Sequence, residues 1–308
     1  MIKIACFGEA MRERSVTGPL AFGGDTYNTA VYLKRLLQTN ADVYFVSAIG
    51  SDELSESAYS LWQQQGLNSQ FLIRSTNRSL GCYNIETDTS GERVFHYERN
   101  NSAVRQYFYL DIQQNFIHAL KQAEFSHVYF SAISIAILDE PSRALLFSAL
   151  HAFSQAGGQI IFDSNYRKVL WQSVEVAARC YHQAFQIADM IFVTNDDHFG
   201  VLGDCKPEEL VTFYRQFANK LIVLKQGVDD TLVLTKDRLM RYPVTLAKHV
   251  VDTTAAGDAF AAGFLAQYLR TPNIDKAVTT AQTLAAQVIA ASGAIVTTNV
   301  QVDVYEKE

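Results

Sequence analysis

Cysteine is scarce in this chain: Cys6, Cys82, Cys180 and Cys205 are the only four in 308 residues, and no two form a C-x-x-C pair. That usage argues against a disulfide scaffold or a zinc framework and fits reduced thiols. Proline, with five residues, is too rare for a fibrous or disordered chain, and no low-complexity tract or internal repeat occurs. No run approaches the roughly 18 unbroken apolar residues that a membrane span needs. The opening MIKIACFGEA has neither the long apolar core nor the cleavage pattern of a signal peptide. A cytoplasmic protein without a membrane partner is therefore expected. A basic excess is missing too: the net charge of −6 offers no cationic stripe to match phosphates, so no nucleic-acid partner is expected. A small anionic ligand stays open, because local arginine placement decides that.

What is present is a 48% hydrophobic, 19% charged sequence, the balance of a globular enzyme, in a chain long enough to build a large core. Short apolar runs at 2–8, 42–50, 127–133, 159–165, 190–195 and 221–227 read as buried strands. Helix-length amphipathic segments lie between them, including 25–38, 53–65, 108–122, 139–156 and 206–219. The alternation predicts an α/β fold: a doubly wound, mostly parallel sheet covered on both faces, in a single domain over 1–308. Strand C-termini then share one edge, where α/β folds bind ligands. Gly8-Glu9, Asp163-x-Asn165, Thr194-Asn195 and Lys225-Gln226-Gly227 fall there. Two segments break the pattern. Residues 10–22 are short and irregular, and residues 78–99 alternate with period two about DTSGE, the mark of a β-hairpin. Together they predict a small β-sheet lid over the ligand edge.

The stretch DTTAAGDAFAAGF (252–264) carries the chemistry. Its Ala/Gly-rich helix start leaves backbone amides uncovered, and with the positive end of the helix dipole these form an anion site. Asp258 sits at the same place, able to take a proton from an attacking hydroxyl. An anion hole beside a carboxylate base is what phosphoryl transfer to an alcohol requires, since that chemistry is chiefly positioning and charge neutralisation.

These residues resemble the C-terminal signature D-T-x-G-A-G-D of the ribokinase-like (PfkB) carbohydrate kinases. GGDTYNTAVYLKRL (23–36) followed by VSAIGSDELS (46–55) resembles the N-terminal one, in the family's order. Within the family the likeness is strongest to kinases of the sugar acid 2-keto-3-deoxygluconate. It rests on GGDTYNTAVY, CYNIETDTSGERVFHYERN, FDSNYRKVLW and the Ala-Ala variant DTTAAGD. The resemblance implies ATP-dependent phosphorylation of that acid's primary hydroxyl, giving the 6-phosphate and ADP, with Mg²⁺ as the metal. A kinase of a neutral ketohexose such as fructose is the related alternative. A non-catalytic sugar-acid sensor on the same fold is the alternative of a different class.

Residue by residue, the resemblance implies that Gly23, Gly24 and Asn28 line the sugar pocket, with Asp25 accepting hydrogen bonds from sugar hydroxyls. Tyr83, Tyr97 and Arg99 belong to the lid hairpin, where the Y-x-R element is assigned recognition of the substrate carboxylate, which suits an arginine fork. Arg167 matches a family arginine near the substrate and the transferred phosphate. Asn165, Asn195, Lys225 and Gly227 fall on the ATP side together with Ala255 and Gly257. Ala255, Ala256 and Gly257 make the anion hole, Asp258 is the general base, and AAQVIAASGA (285–294) resembles the helix and turn flanking adenine. Three positions depart from the family pattern. Ala255 replaces the first glycine of G-A-G-D, which disfavours positive φ there. Asp230 stands where many members carry a glycine. The family's N-x-x-E acid falls on His198, a poor ligand for Mg²⁺, which leaves metal-bound water to Asn195, Asp196 or Asp197. Restoring that acid with His198→Glu is expected to leave activity intact. The expected partners are the sugar acid and ATP, with a homo-oligomer left open.

Overall fold

The structure is a computed structural model that describes residues 1–14, 20–87, 93–217, 219–247 and 249–303. Its strands, in chain order, are β1 (Ile2–Phe7), β2 (Met11–Arg14), β3 (Ala21–Gly23), β4 (Ala41–Ile49), β5 (Leu72–Arg74), β6 (Gly81–Thr87) and β7 (Arg93–Glu98). They continue with β8 (His127–Ser131), β9 (Gln159–Asp163), β10 (Met190–Thr194), β11 (Leu221–Lys225), β12 (Thr231–Leu234) and β13 (Leu239–Tyr242). Nine of them form one sheet in the order β13-β12-β11-β10-β9-β8-β1-β4-β5. All pairings from β5 to β11 are parallel, and only β12 and β13 run antiparallel at one edge.

The six strands expected from continuous apolar runs are the six central ones, β1, β4, β8, β9, β10 and β11. Such runs arise because both faces of a parallel sheet are covered. In β1, Ala5 and Phe7 pack into one buried layer while Ile4 and Cys6 pack into the other. The strand order turns around between β1 and β8, and the polar C-terminal ends of β1, β8, β9, β10 and β11 face the crevice this creates.

The helices follow the expected segments with one exception. Residues 108–122 do not form one helix but two, Tyr107–Leu110 and Asn115–Lys121. Asp111 breaks the run by accepting from the Asn115 amide at 3.0 Å and the Phe116 amide at 3.1 Å, which restarts the chain as a new helix. Helix Ala256–Arg270 packs closely on helix Ile274–Ile289: a Cβ on Gly263 would lie 2.9 Å from the Cα of Ala281. The Ala/Gly stripe in this helix thus serves helix packing as well as its N-terminus. Among the described residues, no helix is long and apolar enough to cross a membrane.

A second, four-stranded sheet has the order β3-β2-β6-β7. β6 and β7 form the expected antiparallel hairpin, with Tyr83 opposite Tyr97 and Cys82 opposite Glu98. β2 joins β6 in parallel and β3 antiparallel, so segments 10–22 and 78–99 do come together as one small sheet. The DTSGE turn of that hairpin, and residues 15–19, lie outside the described residues.

Candidate active site

Helix Ala256–Arg270 begins at the mouth of a cleft of about 480 Å³. Its N-cap, Ala255, adopts φ 61° and ψ 12°, a left-handed conformation that the missing glycine would have taken without strain. The approach is held by Asp252, which is buried: Oδ1 accepts from the Thr254 amide at 3.0 Å and Oδ2 from the Gly293 amide at 2.7 Å. Of the three amides expected to be bare, that of Ala256 donates to the Thr253 carbonyl at 3.2 Å. The Ala256 expectation is therefore corrected: the tight turn consumes that donor. The amides of Ala255 and Gly257 make no hydrogen bond to a described residue and lie at the cleft.

Asp258 is half-buried on the first turn, and its Oδ2 accepts from Asn28 Nδ2 at 2.8 Å. Burial, followed by the charge of Asp25, pushes its carboxyl up to about 7. Asp25, on the first turn of helix Asp25–Leu37, is raised by burial against hydrogen bonds from Ser131 and Thr26 and the charges of Arg99 and Arg167. Asn165 Nδ2 donates to Asp25 Oδ2 at 3.1 Å. Asp163, at the end of β9, is also raised by burial, opposed by Lys225. Lys225 Nζ lies 3.1 and 3.0 Å from the two Asp163 oxygens and would stand 3.6 Å from a Cβ on Gly257. The ammonium is thus fixed beside the helix N-terminus.

The small sheet supplies the opposite wall. Tyr83 donates from its hydroxyl to Glu13 Oε2 at 2.8 Å, its ring 5.9 Å from that of Tyr97. Arg99 is buried, and its Cζ lies 5.6 Å from the Tyr97 ring centre. Its Nε donates to Glu9 Oε2 at 2.8 Å and its Nη2 to the same oxygen. Glu9 was not expected as a partner. It follows Gly8 at the tip of β1, 90 positions away, so only its place at a strand end hinted at a role. Arg167 is exposed, with Nη1 donating to the Tyr166 carbonyl at 2.7 Å; among the described residues it is the cleft cation that pairs with no carboxylate.

Gly24, Asp25, Asn28, Tyr83, Tyr97, Arg99, Asn165, Arg167, Lys225, Ala255, Ala256, Gly257 and Asp258 all line the cleft. Gly23, Asn195 and Gly227 do not. A side chain on Gly23 would strike the Tyr83 hydroxyl at 2.6 Å, so this glycine makes room for a lining residue. Gly227 has φ 65° and open space around it, so its need for glycine is conformational. Asn195 Oδ1 accepts from Gln226 Nε2 at 3.4 Å. Asp196 and Asp197, expected only as holders of metal-bound water, and Thr194, expected at the ligand edge, line the cleft as well, together with Thr253 and Thr254, for which no site role was expected.

The metal candidates separate. His198 is 3% exposed, its Nδ1 3.2 Å from the Tyr214 hydroxyl and its ring 5.0 Å from that of Phe213; burial lowers its pKa. It is a core residue, so His198→Glu would bring a carboxylate into the layer formed with Phe213 and Tyr214. Asp197 accepts from the Tyr166 amide at 2.7 Å and from the Ser164 hydroxyl at 2.6 Å, tying down the turn after β9. Asp196 is exposed at the cleft. No cluster of three or more His, Cys, Asp or Glu side chains capable of holding a metal occurs among the described residues.

Comparison with known proteins agrees with this geometry. The model of the pfkB family carbohydrate kinases matches residues 1–300. A 2-dehydro-3-deoxygluconokinase of Dickeya dadantii is 38% identical over 300 residues, covering 95% of this chain and 96% of that protein. The crystal structure of a 2-dehydro-3-deoxygluconokinase from Thermotoga maritima superposes with a TM-score of 0.79 at 20% identity, covering 96% of this chain and 94% of that one. A Vibrio cholerae fructokinase, solved with fructose, ADP and calcium ion bound, superposes with a TM-score of 0.79 at 23% identity over 96% and 94% of the two chains.

Proposed function

The chain belongs to the pfkB family of carbohydrate kinases, and from that premise we propose that it transfers the γ-phosphoryl group of ATP to the primary hydroxyl of 2-keto-3-deoxygluconate (2-dehydro-3-deoxygluconate). The observation that carries the reading is the place of Asp258, held by Asn28 on the first turn of a helix whose Ala255 and Gly257 amides are uncovered, with burial raising its proton affinity. A base with that proton affinity accepts the proton of the attacking hydroxyl at neutral pH, and the amides of Ala255 and Gly257 with Lys225 stabilise the charge on the transferred group. Asn28 holds the carboxylate in place.

Asp25 and Asn165 face the same cleft and are suited to the sugar hydroxyls. Tyr83, Tyr97, Arg99 and Arg167 form the wall suited to the acid's carboxylate, so the small sheet acts as the lid. ATP takes the side bounded by Lys225, Gly257 and the end of β10. Mg²⁺ fits there without a dedicated cage, because it retains most of its waters and is held chiefly by nucleotide phosphates. Asp196 and Asn195 are the groups placed to hold those waters. All four thiols are free, which suits a cytoplasmic location.

The neutral-ketohexose reading has one observation in its favour: Glu9 offsets the charge of Arg99. Arg167 leaves a cation for the acid all the same. ADP release measured with 2-keto-3-deoxygluconate, fructose and ribose tests the reading. Turnover of the acid at the highest kcat/KM supports it, and turnover of fructose alone replaces it with the neutral-sugar reading.

A further inference from the structure

The Glu9–Arg99 pair joins the tip of β1 in the main sheet to the end of β7 in the small one. Both side chains are almost wholly enclosed, at 1% and 7% exposure. Only one edge of the guanidinium is spoken for, because Nε and Nη2 both reach Oε2. Nη1 donates to no described residue, and Arg99 lines the cleft. Glu9 itself does not line it. Its other oxygen, Oε1, is buried without a hydrogen-bond partner, and a Cβ on Gly81 would lie 2.9 Å from it and 3.2 Å from the Cβ of Arg99. Glycine at 81 leaves the room in which this pair sits.

A buried carboxylate whose hydrogen bonds among the described residues all come from one arginine, with the charge of Arg105 acting from farther off, has that arginine as its purpose, since leaving it unpaired is costly. We propose that Glu9 is a positioning residue for acid recognition: it clamps Arg99 by one edge so that the opposite edge is presented to the substrate carboxylate. A second consequence is electrostatic. With Arg99 paired to Glu9 and Lys225 paired to Asp163, the charge of an incoming acid is balanced by Arg167, while Arg99 supplies directed hydrogen bonds. The inference rests on the sugar-acid kinase reading and concerns a residue outside the reacting atoms.

The test is steady-state kinetics of the full-length enzyme and its Glu9→Gln, Arg99→Gln and Glu9→Gln/Arg99→Gln variants with 2-keto-3-deoxygluconate and ATP. For Glu9→Gln the KM of the acid should rise by about ten- to hundredfold, the range of a lost charge-assisted contact, with kcat within about threefold and KM for ATP unchanged. The double variant should match Arg99→Gln in KM, because Glu9 acts only through that arginine. An unchanged KM in Glu9→Gln, a fall confined to kcat, or effects that simply multiply in the double variant would each overturn the assignment. Should Glu9→Gln be recovered only as aggregate, Glu9→Asp keeps the charge, withdraws it by one methylene and must show the same rise in KM. Absence of acid phosphorylation by the unaltered chain sinks the substrate reading and this inference together. Turnover by the parent with no KM effect in the variants sinks the inference alone.

Discussion

Asn28 donates from Nδ2 to Asp258 Oδ2 at 2.8 Å, joining the helix that opens the N-terminal signature to the helix that opens the C-terminal one. The contact orients the base and leaves its other oxygen toward the cleft. Because this carboxylate sits on the first turn of the helix beside the uncovered amides, Asp258→Asn, which keeps shape and removes basicity, should lower kcat by about 10²–10⁴-fold while ATP binding persists. Near-normal turnover in that variant would remove Asp258 as the base.

The raised carboxyl of Asp258 sets two pH dependences of opposite sign. Activity requires the ionised form, so kcat/KM should climb with pH on a limb centred near 7. Stability runs the other way. The native state holds the proton above the unfolded value of 3.8, so this group lowers stability as pH rises from about 4 to 7. Asp258→Asn should therefore melt higher than the parent at pH 8 and lose that advantage below pH 4. A melting curve that shows no such crossover means the carboxyl is not raised.

Ala255 holds a left-handed conformation with a β-carbon. Ala255→Gly removes that strain, worth about 1–2 kcal/mol, against a loss of roughly 0.5–1 kcal/mol from the freer unfolded chain. The melting temperature should stay level or rise, with kcat retained. Ala255→Val should lower both, since a branched side chain tolerates positive φ worse. Equal stability of the glycine and valine variants would contradict the turn geometry.

His198→Glu places a carboxylate against Phe213 and Tyr214. Burying a charge there with only the Tyr214 hydroxyl to meet it should cost on the order of 2–4 kcal/mol, seen as a fall in the denaturant midpoint. Magnesium dependence of the folded fraction should not change. A variant of parental stability would return this position to the metal side.

Arg167→Ala should reduce kcat/KM for the acid by roughly ten- to hundredfold without lowering the melting temperature, because the side chain is exposed and bonded only to its neighbour's carbonyl. Arg99→Ala differs. It strands Glu9 in the interior, so about 3–5 kcal/mol of stability should go with the activity. Comparing the two melting curves separates a recognition arginine from one built into the fold.

Local rules explain how much was legible before the fold was known. The central strands announce themselves because a parallel sheet buries both faces and tolerates only apolar runs. The hairpin follows from period-two alternation. The C-terminal signature is readable because an Ala/Gly-rich helix start with a carboxylate on its first turn is a property of seven consecutive residues, whereas the left-handed turn at Ala255 and the donor spent by Ala256 are not. Tertiary structure decided what those elements meet. Lys225 reaches Asp163 across the intervening β10, and Arg99 finds Glu9 at the far end of a strand from another sheet. The helix beginning at Asn195 shows the reason most clearly. Successive residues on a helix point about 100° apart, and packing chiefly against helix Val174–Ile187 set its phase so that Asp196 faces the cleft, Asp197 reaches both the cleft and the turn after β9, and His198 enters the core between Phe213 and Tyr214. A linear pattern specifies spacing along the chain, whereas the direction each side chain takes is set by the neighbours that fold against it.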